Sequence, residues 1–137
     1  MIVSLHVATG AAAGALVRSR PAAAGIGFAL HLAGDLVPHQ DIRSRTFELV
    51  SGGAALLLIV ARRGALDGAT VGAAAASSPD LEHMIRFPRP GGRKLFPSHR
   101  VAGLHRSGGL PAWLQLLVAG VLLGSVAARS RTASRMR

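Results

Sequence analysis

Five apolar stretches, at about 2–17, 22–37, 47–61, 65–78 and 110–128, dominate a chain of 137 residues, and arginines punctuate the breaks between them. The stretches are 14 to 19 residues long, against the ~20 that a bilayer-spanning helix needs. Half the residues are hydrophobic and 16% are charged, where an ordinary soluble domain carries about 25% charged residues. Glycine, at 17 residues, and alanine supply small side chains that let helix backbones approach closely. These features predict an all-α fold: a polytopic bundle of four or five apolar helices, placed in the cell membrane as a multi-pass protein with the lipid bilayer as its partner. A single transmembrane domain is expected over 1–128, followed by a basic tail at 129–137.

The segment Leu110–Ala128 is the clearest span, with Pro111 suited to a first helical turn and Trp113 to an interfacial anchor. The segment 65–78 is the weakest, being short and carrying Asp67 near its start; it is expected either to span or to enter halfway. The first stretch lacks a positively charged n-region and holds His6 within its apolar run, so it reads as a retained helix and not a signal peptide. Gly10/Gly14, Gly68/Gly72 and Gly120/Gly124 fit GxxxG and support tight packing. One irregular region is expected at about 84–109, marked by Pro88, Pro90, Gly91-Gly92, Pro97 and Gly108-Gly109; a loop that long in so small a chain is functional or disordered.

The net charge is +10, from 16 Lys+Arg against 6 Asp+Glu. A nucleic-acid binder gathers such charge on one face with aromatics for stacking, whereas here it is dispersed between apolar segments and aromatics are 4%. Nucleic acid is therefore not expected as a partner. The positive-inside rule gives no orientation, because eight basic residues fall to each side of the expected bundle. There is no cysteine, so disulfides, thiolate zinc sites and a Cys nucleophile are excluded. A metal ion would have to be held by imidazoles and carboxylates.

Such residues gather at one end. If the stretches alternate in direction, all six histidines and every acid except Asp67 fall toward the same side. His31 and Asp35 are four apart on the second stretch, so they share one helical face. Pro38 ends or kinks that helix and frees His39. Pro79-Asp80-Leu81-Glu82-His83 repeats the arrangement, and His99 and His105 follow in the irregular region. Ionisable groups inside apolar segments are costly and point to function. The cluster reads as a metal site, with a structural polar network or a proton or ion pathway as the alternatives.

The early helical His6, the HxxxD segment His31/Asp35, the Pro79–His83 segment and His99-Arg100…His105 together resemble the bacterial membrane-bound metal-dependent hydrolase-like proteins. The order of segments differs, since HxxxD comes first here. The sequence looks closer still to small membrane proteins with an HxxxDxxPH segment in the second helix. It is distantly similar to zinc phospholipases C and P1-type nucleases, in which a helical HxxxD supplies zinc ligands. The resemblance implies hydrolysis by a metal-activated water.

The leading expectation is thus a membrane-embedded metal-dependent hydrolase acting at the membrane surface on a phosphoester or lipid head group. Its cofactor would be one or two divalent ions, zinc before manganese or iron. His31, Asp35, Asp80 and His83 are the expected core ligands, with His6, His39, His99 and His105 as second-metal ligands or acid/base groups, and Glu82 or Glu48 as general base. Arg93, Lys94, Arg100 and Arg106 would hold an anionic substrate. The alternatives are a non-catalytic scaffold or regulator with a structural polar cluster, and a metal or proton transporter, for which Asp67 is the single hint. Ser98 lies beside His99, but no GxSxG elbow supports a serine hydrolase.

Overall fold

A computed structural model describes residues 1–84 and 89–129. Each of the five apolar stretches forms a helix: α1 is Val3–Gly14, α2 Arg20–Leu36, α3 Arg45–Arg63 and α4 Gly68–Ser77. After α4 come a 3-10 turn at Ser78–Asp80, the short α5 at Leu81–Met84, a second 3-10 turn at Pro90–Gly92, the one-turn α6 at Pro97–Arg100, and finally α7 at Ala112–Ala128. The all-α expectation holds. The expected irregular region carries only these short turns among its described residues; Arg86 and Pro88, and the basic tail beyond Arg129, lie outside them.

Local chemistry explains the helix ends. Ser19 accepts from the Ala22 N–H at the start of α2, where Pro21 sits in the first turn, and Ser44 accepts from the Phe47 N–H at the start of α3. Asp67 caps α4 by accepting from the Ala69 N–H at 2.9 Å and also receives Arg63 Nε at 3.3 Å. Arg62 and Arg63 stand in the last turn of α3, where cations suit the helix dipole, and Gly64 closes that helix with φ +93°.

α1 runs through the middle of the bundle and packs against α2, α3, α4 and α7. Its contact with α4 is made by glycines. A Cβ on Gly10 would lie 2.4 Å from the Gly72 carbonyl oxygen, and one on Gly14 would lie 2.2 Å from that of Gly68. The reciprocal substitutions at Gly72 and Gly68 meet Gly10 and Gly14 at 2.3 and 2.5 Å. Two of the three GxxxG pairs therefore face each other across one crossing. The third, Gly120/Gly124 in α7, faces open space. Ile2, Leu5, Val7, Ala8 and Ala11 of this central strip meet Ala55 and Ile59 of α3, Ala69 and Ala73 of α4, and Ala119, Leu123 and Val126 of α7 in one core.

The multi-pass membrane expectation is corrected by this architecture. No helix among the described residues is long and apolar enough to cross a membrane. α1 and α4 have 12 and 10 residues, or about 18 and 15 Å at 1.5 Å per residue, against a hydrocarbon core of about 30 Å. They are apolar because other helices surround them, the one setting besides lipid that selects a helix hydrophobic all round. α3 reaches 19 residues but includes Arg45, Glu48, Arg62 and Arg63, and α7 stops at 17.

Candidate metal centre

Three structural features deliver polar side chains to one end of the bundle. The HxxxD spacing on α2 places His31 and Asp35 on its inner face, both buried. α1 brings His6 beside them, stacked on His31 with ring centroids 4.0 Å apart. Gly34 leaves the room, since a Cβ there would stand 3.1 Å from His6 Cε1. The loop after α5 then closes over the group. Glu82 accepts from the Leu95 and Phe96 N–H groups at 2.6 and 2.7 Å, fixing the start of α6 and hence His99. Further along, the Arg106 N–H donates to the Asp35 carbonyl, the His39 N–H to Arg106, the Gln40 N–H to Leu110, and the Leu110 N–H to Pro38. This zipper sets His105 against His39.

At the centre, His31 Nε2, His99 Nε2 and Asp35 Oδ2 form a triangle with edges of 3.3, 3.2 and 3.6 Å. Ligands 2.0–2.2 Å from a tetrahedral ion stand about 3.3–3.6 Å apart, so the three atoms match one face of such a polyhedron. The tautomer of His31 agrees. Its Nδ1 lies 2.7 Å from the Ala76 carbonyl oxygen, which only accepts, so Nδ1 carries the hydrogen. Nε2 then faces a carboxylate oxygen and a second imidazole. An imidazole anchored through its other nitrogen is the usual form of a metal ligand.

Further atoms around the triangle lack partners. His6 is fully buried with no hydrogen bond at either ring nitrogen, although its Nε2 stands 3.3 Å from Asp35 Oδ1. His99 Nδ1 and Asp80 Oδ2 are also buried without a hydrogen-bond partner. Unsatisfied buried polar atoms are rare in native proteins and call for a reason. Across the described residues, four three-residue groups place their ligand atoms within 4.8 Å of one another: His6/His31/Asp80, His31/Asp35/His99, Asp35/His39/His105 and Asp80/His83/His99. These buried His/Asp groups can hold a metal ion.

Charge states follow from the surroundings. Burial pushes His6 down to about 3, so its ring is neutral and free to ligate. Burial opposes ionisation of Asp35, but the imidazoles of His31, His6 and His99 and the Ser98 hydroxyl outweigh it and hold the carboxyl well below the usual range. Burial raises Asp80 to about 6. Partial burial, and then the neighbouring His99 and Lys94, push His83 down to about 4.

The residues expected from the sequence thus separate by place. His6, His31, Asp35, Asp80 and His99 meet in the buried centre; His39 and His105 adjoin it through Asp35; His83 lies at the rim with its ring against His99 and Lys94 Nζ 3.0 Å away. Glu82 has both carboxylate oxygens on backbone N–H groups. Glu48 sits at the other end of α1's first turn, accepting from the Val3 N–H at 2.8 Å. Arg93, Arg100 and Arg106 are exposed on the loop that carries His99 and His105, and Lys94 is half-buried there.

Three contributors are absent from the sequence expectation. Ser98, buried, donates its hydroxyl to Asp35 Oδ2 at 2.6 Å. Asp41 contacts both His39 and His105. Gln115 of α7 is fully buried, accepts from the Ile2 N–H, and donates to the Gln40 and Leu110 carbonyls. Asp41 stands two residues beyond the HxxxDxxPH stretch that ends at His39, and that proximity was the available signal. Gln115 lies in the most apolar segment, where one polar residue calls for a partner. No family model, curated protein or solved structure matches the chain.

Proposed function

We propose that the chain is a metal-dependent hydrolase, with zinc as the ion, His31, Asp35 and His99 as its ligands, and an anionic phosphoester as its substrate class. The observation that carries this reading is the triangle of two imidazole nitrogens and one carboxylate oxygen with tetrahedral-edge spacing. Three protein ligands leave a fourth position for water, the arrangement of catalytic zinc sites. A divalent ion held there supplies a water of lowered pKa and a Lewis acid for the substrate oxygen. Asp80, whose Oδ1 lies 3.8 Å from His99 Nε2 and whose Oδ2 has no hydrogen-bond partner, would be the group to accept a proton from a water held there. Arg93, Arg100 and Arg106 supply positive charge on the same loop for a phosphoryl group.

The test is metal analysis of the purified protein together with turnover of a generic phosphomonoester such as p-nitrophenyl phosphate. His99→Ala is expected to lower both bound zinc and turnover, and Arg100→Ala to weaken substrate capture while zinc stays in place. A second reading is supported by the Ser98 and Arg106 contacts to Asp35, which pin the loop to α2: the ion would then fasten the fold and do no chemistry. Full zinc loading without turnover on any phosphoester would favour it.

A further inference from the structure

The anchoring of His31 is repeated eight residues later. His39 is fully buried, and its Nδ1 donates to the Val37 carbonyl at 2.6 Å. A hydrogen therefore sits on Nδ1, and Nε2 faces His105 Nε2, 3.1 Å away, and Asp41 Oδ1, 3.0 Å away. Asp41 Oδ2 stands 3.2 Å from His105 Nε2. These spacings are again close to the edge of a tetrahedral ligand set, about 3.3–3.6 Å. Asp35 reaches this group as well: Asp35, His39 and His105 each place a ligand atom within 4.8 Å of the others. The Met1 amino nitrogen lies against Asp35 Oδ1 at 3.2 Å, Asp41 Oδ1 at 3.5 Å and His39 Nε2. A cationic group thus meets these acceptors, and a metal ion at the subsite would displace it.

We infer that His39, Asp41 and His105 form a second divalent-cation subsite, joined to the His31/Asp35/His99 subsite by the Asp35 carboxylate as a shared ligand. The two subsites differ in access. The first is built from side chains that are at most 1% exposed, whereas His105 and Asp41 are 34% and 51% exposed. The second ion is the one that solvent and substrate reach, and the one that exchanges. Two ions held by a common carboxylate clamp the attacking and leaving oxygens of a phosphoryl transfer. This deepens the hydrolase reading by naming a two-ion centre, and it depends on that reading for its use but not for its existence.

Native mass spectrometry of the purified chain, titrated with Zn²⁺ and separately with Co²⁺, measures stoichiometry without any substrate. Two ions are expected, the second taken up at higher free metal. His105→Ala and Asp41→Asn should each retain the first ion and weaken the second at least about a hundredfold, since even loss of an outer-shell partner costs up to that. His99→Ala should weaken the first. Both second-subsite variants change exposed side chains, and circular dichroism verifies their folding. A single ion in the parent chain overturns the inference, as does second-ion binding that is unchanged in both His105→Ala and Asp41→Asn. Two ions with no phosphoesterase turnover would leave this subsite standing and remove the hydrolase reading; one ion with turnover would do the reverse.

Discussion

Asp80 has the clearest dependence on pH. Its carboxyl is raised from 3.8 to about 6 by burial. In the metal-free fold this group contributes stability below pH 3.8, and that contribution is lost as pH rises through 6, because the buried charge is then uncompensated. A divalent ion reverses the cost by supplying the compensation. Zinc uptake is therefore expected to strengthen as pH rises through 6. His6, pushed down to about 3, stays neutral throughout and does not contribute to that slope. A zinc titration at several pH values between 5 and 8 checks this, and an affinity that is flat through 6 would contradict it. Gln115 supplies a second residue-scale prediction. Gln115→Leu should cost about 1–3 kcal/mol of stability in denaturant unfolding, because the Ile2 N–H and the carbonyl of Gln40 lose a buried partner. At this scale the sequence showed the residue types well. His31 and Asp35 announce themselves by helical spacing, whereas Ser98 and Gln115 act through contacts 63 and 113 residues distant in the chain.

Among the elements, α1 and α4 hold the centre together through backbone contact. Gly72→Ala would drive a methyl into the Gly10 carbonyl at 2.3 Å, and backbone cannot step aside as a side chain can. A loss of about 1–3 kcal/mol or more is expected. Gly124→Ala faces open space and should be neutral or stabilise α7 by about 0.5–1 kcal/mol. Thermal unfolding of the two variants checks the contrast; equal effects would mean that the α1–α4 crossing is not as close as described. All three GxxxG pairs look alike in sequence, because the motif records small side chains and not what faces them. Helix existence was legible for the same reason that membrane crossing was misread: apolarity reports removal from water, and a central helix in a small bundle achieves it as fully as lipid does. Length was the discriminating quantity. The 12 residues of α1 and 10 of α4 pack the core without approaching bilayer thickness.

For the whole molecule, the polar cluster and the backbone zipper between 38–40 and 106–110 join the bundle to the loop after α5. Asp35 alone meets side chains from α1, α2 and α6 and, through its carbonyl, accepts from the Arg106 N–H. Since these groups converge only when folded, an ion bound there stabilises the native state by mass action, about 2.7 kcal/mol at a hundred times its dissociation constant. Chelator should lower the melting temperature of the zinc-loaded chain and leave that of Asp35→Asn nearly unchanged; equal shifts in both would place the stabilising ion elsewhere. The alternation of apolar stretches foreshadowed this convergence without requiring a membrane, because antiparallel helices in any bundle bring the same ends together. The most direct measurement of the central claim is X-ray absorption at the zinc edge of the loaded protein. It should show nitrogen and oxygen ligands at about 2.0–2.2 Å with the outer-shell scattering of two or more imidazoles, and that signal should collapse in Asp35→Asn. A spectrum with no imidazole scattering, or one unchanged by Asp35→Asn, would contradict the assignment of this cluster as a metal centre.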